Sequence, residues 1–437
     1  MRILSITAGA AGMYCGSCLR DNALAAELLA RGHAVTLLPL YTPTRPDETN
    51  VSRKRVLFGG ISIYLQQYLP LFRKTPRLLD RLWDSPWVIN AFAKRSLSTD
   101  PKLLGDMTIS MLEGERGVLR KEFDKLLAWI AQEEVPDVIN LPNALLIGLA
   151  APLRRALNRP ICCTLQGEDL FLNGLVDPYR DRALDLIRRQ VPDVDLFLSV
   201  SDGYVRPISD MLRIPVGRIA VVPLGINLAG YERPDPPAGR SVPFRVGYFA
   251  RVAPEKGLHV LAESYIHLRS LEPHAEMRLD AAGYLAPAQA DYLDRIRRDL
   301  DNAGLAGEFT YRGAVDRAGK LAFLRSIDVL SVPATYDEPK GVFLLEAMAA
   351  GVPVVQPRRG AFTEIVERTG GGLLVEPDNP RAIADGLRTL WRDRALAARL
   401  GRSGFDGVRE HYNIARSADR LLQAYQSIGT GSLAARR

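Results

Sequence analysis

The chain has 437 residues, enough for two or three domains of ordinary size. Apolar residues at 47% and charged residues at 24% exclude long disorder or a coiled coil, and no uncharged apolar run nears the ~20 residues needed to span a bilayer. The net charge of +7 is concentrated between positions 53 and 102, where ten Lys/Arg face three acids; this excess suits an anionic ligand or a membrane surface, and no nucleic-acid-binding motif accompanies it.

Residues 2–7 read as a strand running into Gly9-Ala-Ala-Gly12, followed by a helix over 21–31 that Gly32 stops and a second strand over 34–40. This is a βαβ opening. It leaves no room for the apolar core and cleavage site of a leader, so a cytoplasmic protein is expected. Residues 42–108 interrupt the alternation with aromatics among basic residues, and helices are expected there over 77–83 and 87–96. The segment packs on the sheet as a helical excursion or forms an acceptor-binding lip touching the inner face of a membrane. Strands follow over 160–165 and 196–200. The Pro- and Gly-rich stretch 222–240 has neither helical nor strand period and reads as an interdomain linker, bounded at 226–242. A second opening comes with a strand at 244–250, a loop through Pro254-Glu-Lys-Gly257, a helix from 258 and a strand at 277–282. Strand 329–333, helix 341–350 and strands 353–356 and 372–375 continue the pattern. Strands alternating with helices in both halves imply an α/β protein of two doubly wound parallel sheets, here bounded at 1–225 and 243–412. A final helix, 413–437, is expected to cross back to the first domain.

Ligands of open parallel sheets sit at the carboxyl ends of the strands, so the residues after each strand are the candidates. Glu338 lies in such a loop, and Gly341 opens a helix whose first amides suit an anion. Glu346, one turn in, has the chemistry to accept hydrogen bonds from a vicinal diol; a solvated helical glutamate is the plainer alternative. Arg251 and Lys256 flank a β–α turn where two cations suit a diphosphate, against the alternative of ordinary loop charge. Gly9 and Gly12 suit close backbone approach to phosphates, although their spacing departs from the dinucleotide fingerprint. Cys15 and Cys18 form a C-x-x-C at a helix start, and Cys162 and Cys163 are adjacent in a strand. A zinc or redox site is weighed against small buried residues and set aside, because vicinal cysteines make poor tetrahedral ligands. Asp193-Val-Asp195 runs into a strand and reads as strand entry, so no metal is expected.

The set Val222-Pro-Leu-Gly-Ile-Asn227, Arg251 with Glu255-Lys-Gly257, Ala282-Gly283, Tyr311-Arg-Gly313, the paired glutamates with seven residues between them, and Gly351-Val-Pro-Val-Val355 resembles glycosyltransferase family 4. The resemblance spans nearly the whole chain, is strongest over 199–377 and weakest over 41–131. It implies the GT-B fold, with two Rossmann-like domains facing across a cleft. It also implies a retaining, metal-independent transfer from a nucleotide-diphosphate sugar. By this resemblance Arg251 and Lys256 hold the donor diphosphate, Glu346 the ribose and Glu338 the transferred sugar. The amides of Gly341, Val342 and Phe343 assist. Where the family usually places a histidine near the donor sugar this chain has Gln166, which hydrogen-bonds but does not titrate near neutral pH. Glu168 and Asp169 are acceptor-side candidates, with helix capping the alternative for Asp169.

The expected function is transfer of a hexose-type sugar to a hydroxyl of a sugar, glycolipid or small molecule, with UDP favoured over GDP or ADP and no separate cofactor. A nucleotide-sugar epimerase or phosphorylase on the same fold, or a non-catalytic sugar-nucleotide sensor, are the alternatives.

Overall fold

A computed structural model describes residues 1–9, 16–54, 56–58, 101–232 and 242–434. The expected helices at 77–83 and 87–96, most of the basic aromatic segment they belong to, and residues Gly12 and Cys15 lie outside the described residues. The chain divides into two compact units, Met1–Pro223 with Ser417–Arg437, and Leu224–Arg416.

The first unit is built on strands β1 (Arg2–Thr7), β2 (Ala34–Pro39), β3 (Val138–Leu141), β4 (Ile161–Leu165), β5 (Leu196–Ser199) and β6 (Ile219–Val221). They form one sheet in the order β2-β1-β3-β4-β5-β6, parallel throughout. Central strands β3 and β4 are buried along their whole length, as parallel strands covered on both faces must be. The helix after β1 runs Gly16–Ala30, starting five residues before the expected position, and Gly32 with φ +84° ends the turn that follows. The core joins Leu4, Ile6 and Ile139 of the sheet to Phe123, Leu126 and Ile187 of covering helices. Phe58 meets Phe123 edge-on at 5.4 Å, which anchors one described part of the 42–108 excursion to this core.

The second unit holds β7 (Phe244–Phe249), β8 (Met277–Ala282), β9 (Phe309–Tyr311), β10 (Val329–Leu330), β11 (Val354–Pro357) and β12 (Gly372–Val375). Their order is β12-β11-β10-β7-β8-β9, again all parallel. Renumbered within the unit this is 6-5-4-1-2-3, the order of dinucleotide-binding folds. The expected strand at 329–333 stops at Leu330. Beyond it the buried amide of Gln356 hydrogen-bonds with the Val332 peptide in place of a neighbouring strand, and Pro333 has no N–H to give.

Residues 224–232 of the expected linker pack with the second unit. The Ile226 N–H donates to the Tyr412 carbonyl, the Ile414 N–H donates to Ile226, and Tyr231 is buried. The helix Ile414–Ala434 leaves the second unit within its first turn. Ser417 Oγ donates to the Pro223 carbonyl, Arg31 pairs with Asp419, and Tyr425 is buried in the first unit, near Arg20, Asp21 and Cys162.

Candidate active site

In a doubly wound sheet the ligand crevice opens where strand order reverses. In the second unit that point lies between β7 and β10, so the loops after these strands flank it. The loop after β7 carries Arg251 and Lys256; the loop after β10 carries Glu338. The two loops touch through Gly257, which has φ +74° and where any Cβ would fall 1.9 Å from the Pro333 carbonyl oxygen.

This contact brings Lys256 and Glu338 together. The Lys256 ammonium pairs with a carboxylate oxygen of Glu338 and donates to the Tyr336 hydroxyl at 2.7 Å. Tyr336 in turn donates to Glu338, and the ammonium lies 5.0 Å from the Tyr336 ring centre and 5.9 Å from that of Phe343. Glu338 is 2% exposed. Burial alone would raise its pKa, but the charges of Lys256 and Lys340 and the hydrogen bonds from Lys256 and Tyr336 outweigh it and hold the carboxyl at about 2. Its backbone is clamped as well. The Ala361 N–H donates to the Glu338 carbonyl at 2.8 Å, and a Cβ on Gly360 would meet that carbonyl at 2.5 Å. Burial, then the nearby Glu338 charge, push the Tyr336 phenol far upward, so it stays a donor.

Arg251 is placed on the same loop but is 48% exposed and pairs with Glu255 one turn on. Its backbone is fixed by Tyr248, whose hydroxyl donates to the Arg251 carbonyl at 2.9 Å, and its charge is felt at the Tyr336 phenol. Gly341, with φ +66°, caps the helix Val342–Ala349. The Leu344 N–H makes the first bond back to Gly341, which leaves the Val342 and Phe343 amides ahead of the helical ladder. Glu346 lies one turn in, and its carboxylate meets the ammonium of Lys320 at 2.5 Å.

Sequence reasoning missed three contributors here. Tyr336 and Lys320 gave no signal, because what assigns them a role is a partner met only in the fold. Arg359 is the third. Its guanidinium bonds the Asp378 carboxylate and the Ala334 carbonyl and lies 3.7 Å from Asp337, tying the loops after β10, β11 and β12 together. Asp378 adopts φ +55° to meet it, a conformation that Asp tolerates better than most residues.

In the first unit strand order reverses between β1 and β3. Gly9, after β1, has φ +80° and room for no side chain, since a Cβ would lie 2.0 Å from the Thr42 carbonyl oxygen. Its glycine character is thus required by the chain's own backbone. Gln166, after β4, donates through Nε2 to the Pro142 carbonyl at 2.7 Å, while its buried Oε1 meets no hydrogen-bond partner among the described residues.

Glu168 accepts from the backbone N–H groups of Ala144, Gln166 and Gly167 at 3.0, 2.8 and 3.0 Å. The Tyr204 hydroxyl lies 2.6 Å from Asp169. These acids therefore stitch the loops after β3, β4 and β5 to one another. The capping alternative for Asp169 is corrected, since the N-cap of the helix Glu168–Asn173 is Gly167 with φ +108° and Asp169 lies inside the first turn. Asp195 accepts from Arg154 and from the Ile161 N–H, as strand entry requires. Cys162 and Cys163 sit within β4, so their side chains leave opposite faces of the sheet. Burial pushes both thiols well up, which disfavours the thiolate that metal or redox chemistry needs. Among the described residues no group of three or more His, Cys, Asp or Glu is placed to hold a metal. Among the described residues, likewise, no helix is long and apolar enough to cross a membrane.

Comparison with known proteins places the chain by family and by fold. The family described as "Glycosyl transferases group 1" matches residues 238–406, which include the β7/β10 site, and "Glycosyltransferase Family 4" matches residues 110–229. The chain belongs to glycosyltransferase family 4. This family 4 chain is 30% identical over 262 residues to the phosphatidyl-myo-inositol mannosyltransferase of Mycobacterium leprae, an alignment that takes in 54% of this chain and 64% of that protein. It is 28% identical over 240 residues to the GDP-mannose-dependent α-(1-6)-phosphatidylinositol monomannoside mannosyltransferase of Mycobacterium tuberculosis, with 52% and 60% covered. In both, the match spans less than two thirds of the relative's own length. Among solved structures, sucrose-phosphate synthase from Thermosynechococcus elongatus superposes with a TM-score of 0.70 at 20% identity over 98% of each chain. HepE of Anabaena in complex with UDP and glucose gives 0.68 at 16% identity over 98% of this chain and all of that one. At such identities these neighbours establish the GT-B class of fold.

Proposed function

We propose that the protein is a retaining, metal-independent glycosyltransferase that moves a hexose-type sugar from a nucleotide-diphosphate sugar to an acceptor hydroxyl. The observation that carries this reading is the Lys256–Glu338 pair at the β7/β10 reversal, beside the open amides of the helix Val342–Ala349. In the proposed donor complex, Lys256 and Arg251 bear on the diphosphate, and the Gly341, Val342 and Phe343 amides bind phosphate and sugar hydroxyls. Glu338 accepts from hydroxyls of the transferred sugar, and Glu346 accepts from the ribose. Gly9, Gly12 and Gln166 contribute from the first unit, and Glu168 and Asp169 shape the acceptor side through the loops they join.

The bond from the sugar's anomeric carbon to the β-phosphate oxygen breaks, and the nucleoside diphosphate leaves with the electron pair. The acceptor oxygen bonds to the anomeric carbon on the same face, and its proton passes to a phosphate oxygen. Cations and amides placed where negative charge develops lower the barrier, the term that usually dominates in such sites. A glutamate already ionised, as Glu338 is at neutral pH, accepts sugar hydroxyls without giving up a proton.

UDP is proposed as the donor nucleotide, and GDP is the comparison that the mannosyltransferase relatives call for. Their names also make a hydroxyl on an inositol- or sugar-bearing lipid the acceptor class to try first. Membrane contact through the basic 53–102 segment belongs to the same proposal, with the protein at the cytoplasmic face. The test is a thermal-shift panel of UDP, GDP and ADP, followed by incubation of their sugars with and without acceptors. A ligand at about 100 times its dissociation constant adds ~2.7 kcal/mol. Lys256→Ala and Arg251→Ala should each lower transfer at least ~100-fold, in the range seen when a donor to developing negative charge is removed. Full turnover in both variants, or product formed without acceptor, sinks the reading.

A further inference from the structure

Lys320 and Glu346 are both deeply buried, at 5% and 7% exposed, with Nζ and Oε1 2.5 Å apart. Lys320 sits in the first turn of the helix Arg317–Ser326. Asp316 caps that helix by accepting from the Gly319 N–H at 2.8 Å, and the Lys320 N–H donates to the Asp316 carbonyl at 2.8 Å. The stem of the lysine therefore starts from a fixed backbone. Glu346 starts from one too, in the helix Val342–Ala349, whose residues 344–349 are all buried.

A buried ion pair is a costly way to pack two helices. Removing both charges from water costs several kcal/mol per ion, and apolar residues of equal volume often stabilise a core as well or better. Packing alone therefore does not call for a lysine at 320. What the ammonium does supply is orientation. It takes one carboxylate oxygen in a direction set by a capped helix, and so fixes the plane in which the carboxylate is offered to anything docking beside the helix start.

We infer that Lys320 is a positioning residue that holds Glu346 as a preformed receptor for the 2′,3′-diol of the donor's ribose. The inference rests on the donor reading above and deepens it, because it assigns sugar discrimination in the nucleotide to a residue outside the paired-glutamate motif. A diol presents two O–H donors at a fixed spacing, and a carboxylate clamped in one rotamer receives them without first losing side-chain freedom. A 2′-deoxynucleotide offers the carboxylate one donor fewer than the diol does, the kind of mismatch against which hydrogen-bonding sites discriminate strongly.

The experiment compares, by calorimetric titration, the nucleoside diphosphate that the wild type binds best among UDP, GDP and ADP with its 2′-deoxy counterpart. Wild type is expected to prefer the ribonucleotide about tenfold or more, equivalent to ~1.4 kcal/mol. Lys320→Met should weaken the ribonucleotide by about that factor and leave the deoxynucleotide within twofold, collapsing the preference. Lys320→Arg should restore part of it. A purely structural lysine would lower both affinities together or neither, so an unchanged preference in Lys320→Met overturns the inference. If that variant does not fold, an unchanged preference in Lys320→Arg does the same, since a planar guanidinium offers a different geometry. Equal wild-type affinity for the two nucleotides overturns the inference and leaves the donor reading standing. Failure of the wild type to bind any nucleoside diphosphate removes the donor reading and, with it, the inference.

Discussion

Glu338 shows how a single carboxylate is bent to a purpose by its neighbours. Its folded pKa of about 2 lies below the ordinary 4.5, so it contributes stability that is whole above roughly pH 5 and disappears as acid takes the pH down through 4.5 toward 2. Glu338→Gln should therefore be less stable than wild type at pH 7 by about 3 kcal/mol, the lower end for breaking a buried pair. In urea titrations at a series of pH values, the gap between the two proteins should stay level to about pH 5 and close toward pH 2. A gap that widens with acid would mean that the carboxyl is not held ionised by Lys256 and Tyr336. The glutamate itself was legible in sequence, because its spacing from Glu346 and the glycine between them describe a helix start. Its partners were less so. Lys256 stood out as loop charge, whereas Tyr336 is an ordinary residue until the fold turns its hydroxyl inward, and Lys320 lies 26 positions before the carboxylate it meets. Arg251 shows the opposite limit: its loop was legible, but its pairing with Glu255 was not.

At the scale of strands and loops, the site of the second unit is set by glycines at loop crossings. Gly257 abuts Pro333, Gly283 abuts Ala250 and Gly360 abuts Glu338, each leaving no space for a Cβ. Gly257→Ala should cost more than the ~1–2 kcal/mol of a left-handed alanine, because the methyl would also collide with a carbonyl. Chemical denaturation measures it, and a loss below 1 kcal/mol would mean that the two loops separate easily. Strands β1, β7, β8 and β11 could be read from their apolar residues and a glycine or proline at or soon after their ends. The short β3 and the three-residue edge strands β6 and β9 could not. The edge strands are half-exposed, and so few residues carry no period. Likewise β10 reads longer in sequence than it is, because the amide of Gln356 imitates a strand partner that apolarity alone suggests.

For the molecule as a whole, the alternation of elements was enough to give two parallel sheets, and the proline-rich stretch near 230 marked where one ends. The strand order was not legible, since parallel strands of similar character do not say which neighbour they join. Nor did the linker reading foresee that Ile226 and Tyr231 would be held by the second unit. Because the helix Ile414–Ala434 completes the first unit, removing residues 417–437 should expose the surface that Tyr425 covers and lower the melting transition of the first unit by several degrees. The second unit should keep its own transition. Calorimetry separates the two, and unchanged melting of the first unit would show that the helix contributes little to it.

The same helix sets an order of events during synthesis. Pro223 and Ser417 touch across 194 residues of chain, and ribosomes add about 5–20 residues per second. For roughly 10–40 s, therefore, the nascent first half stands with its last helix still unmade and the floor around Arg20 and Asp21 open. The later-made half also closes late, when Tyr412 and Ile414 meet Ile226, but only the first half still lacks an element once residue 416 has been made. A protein arranged this way ripens in reverse: the portion translated earliest is the portion finished last, and it is there that a chaperone would find the newborn chain most in need of shelter.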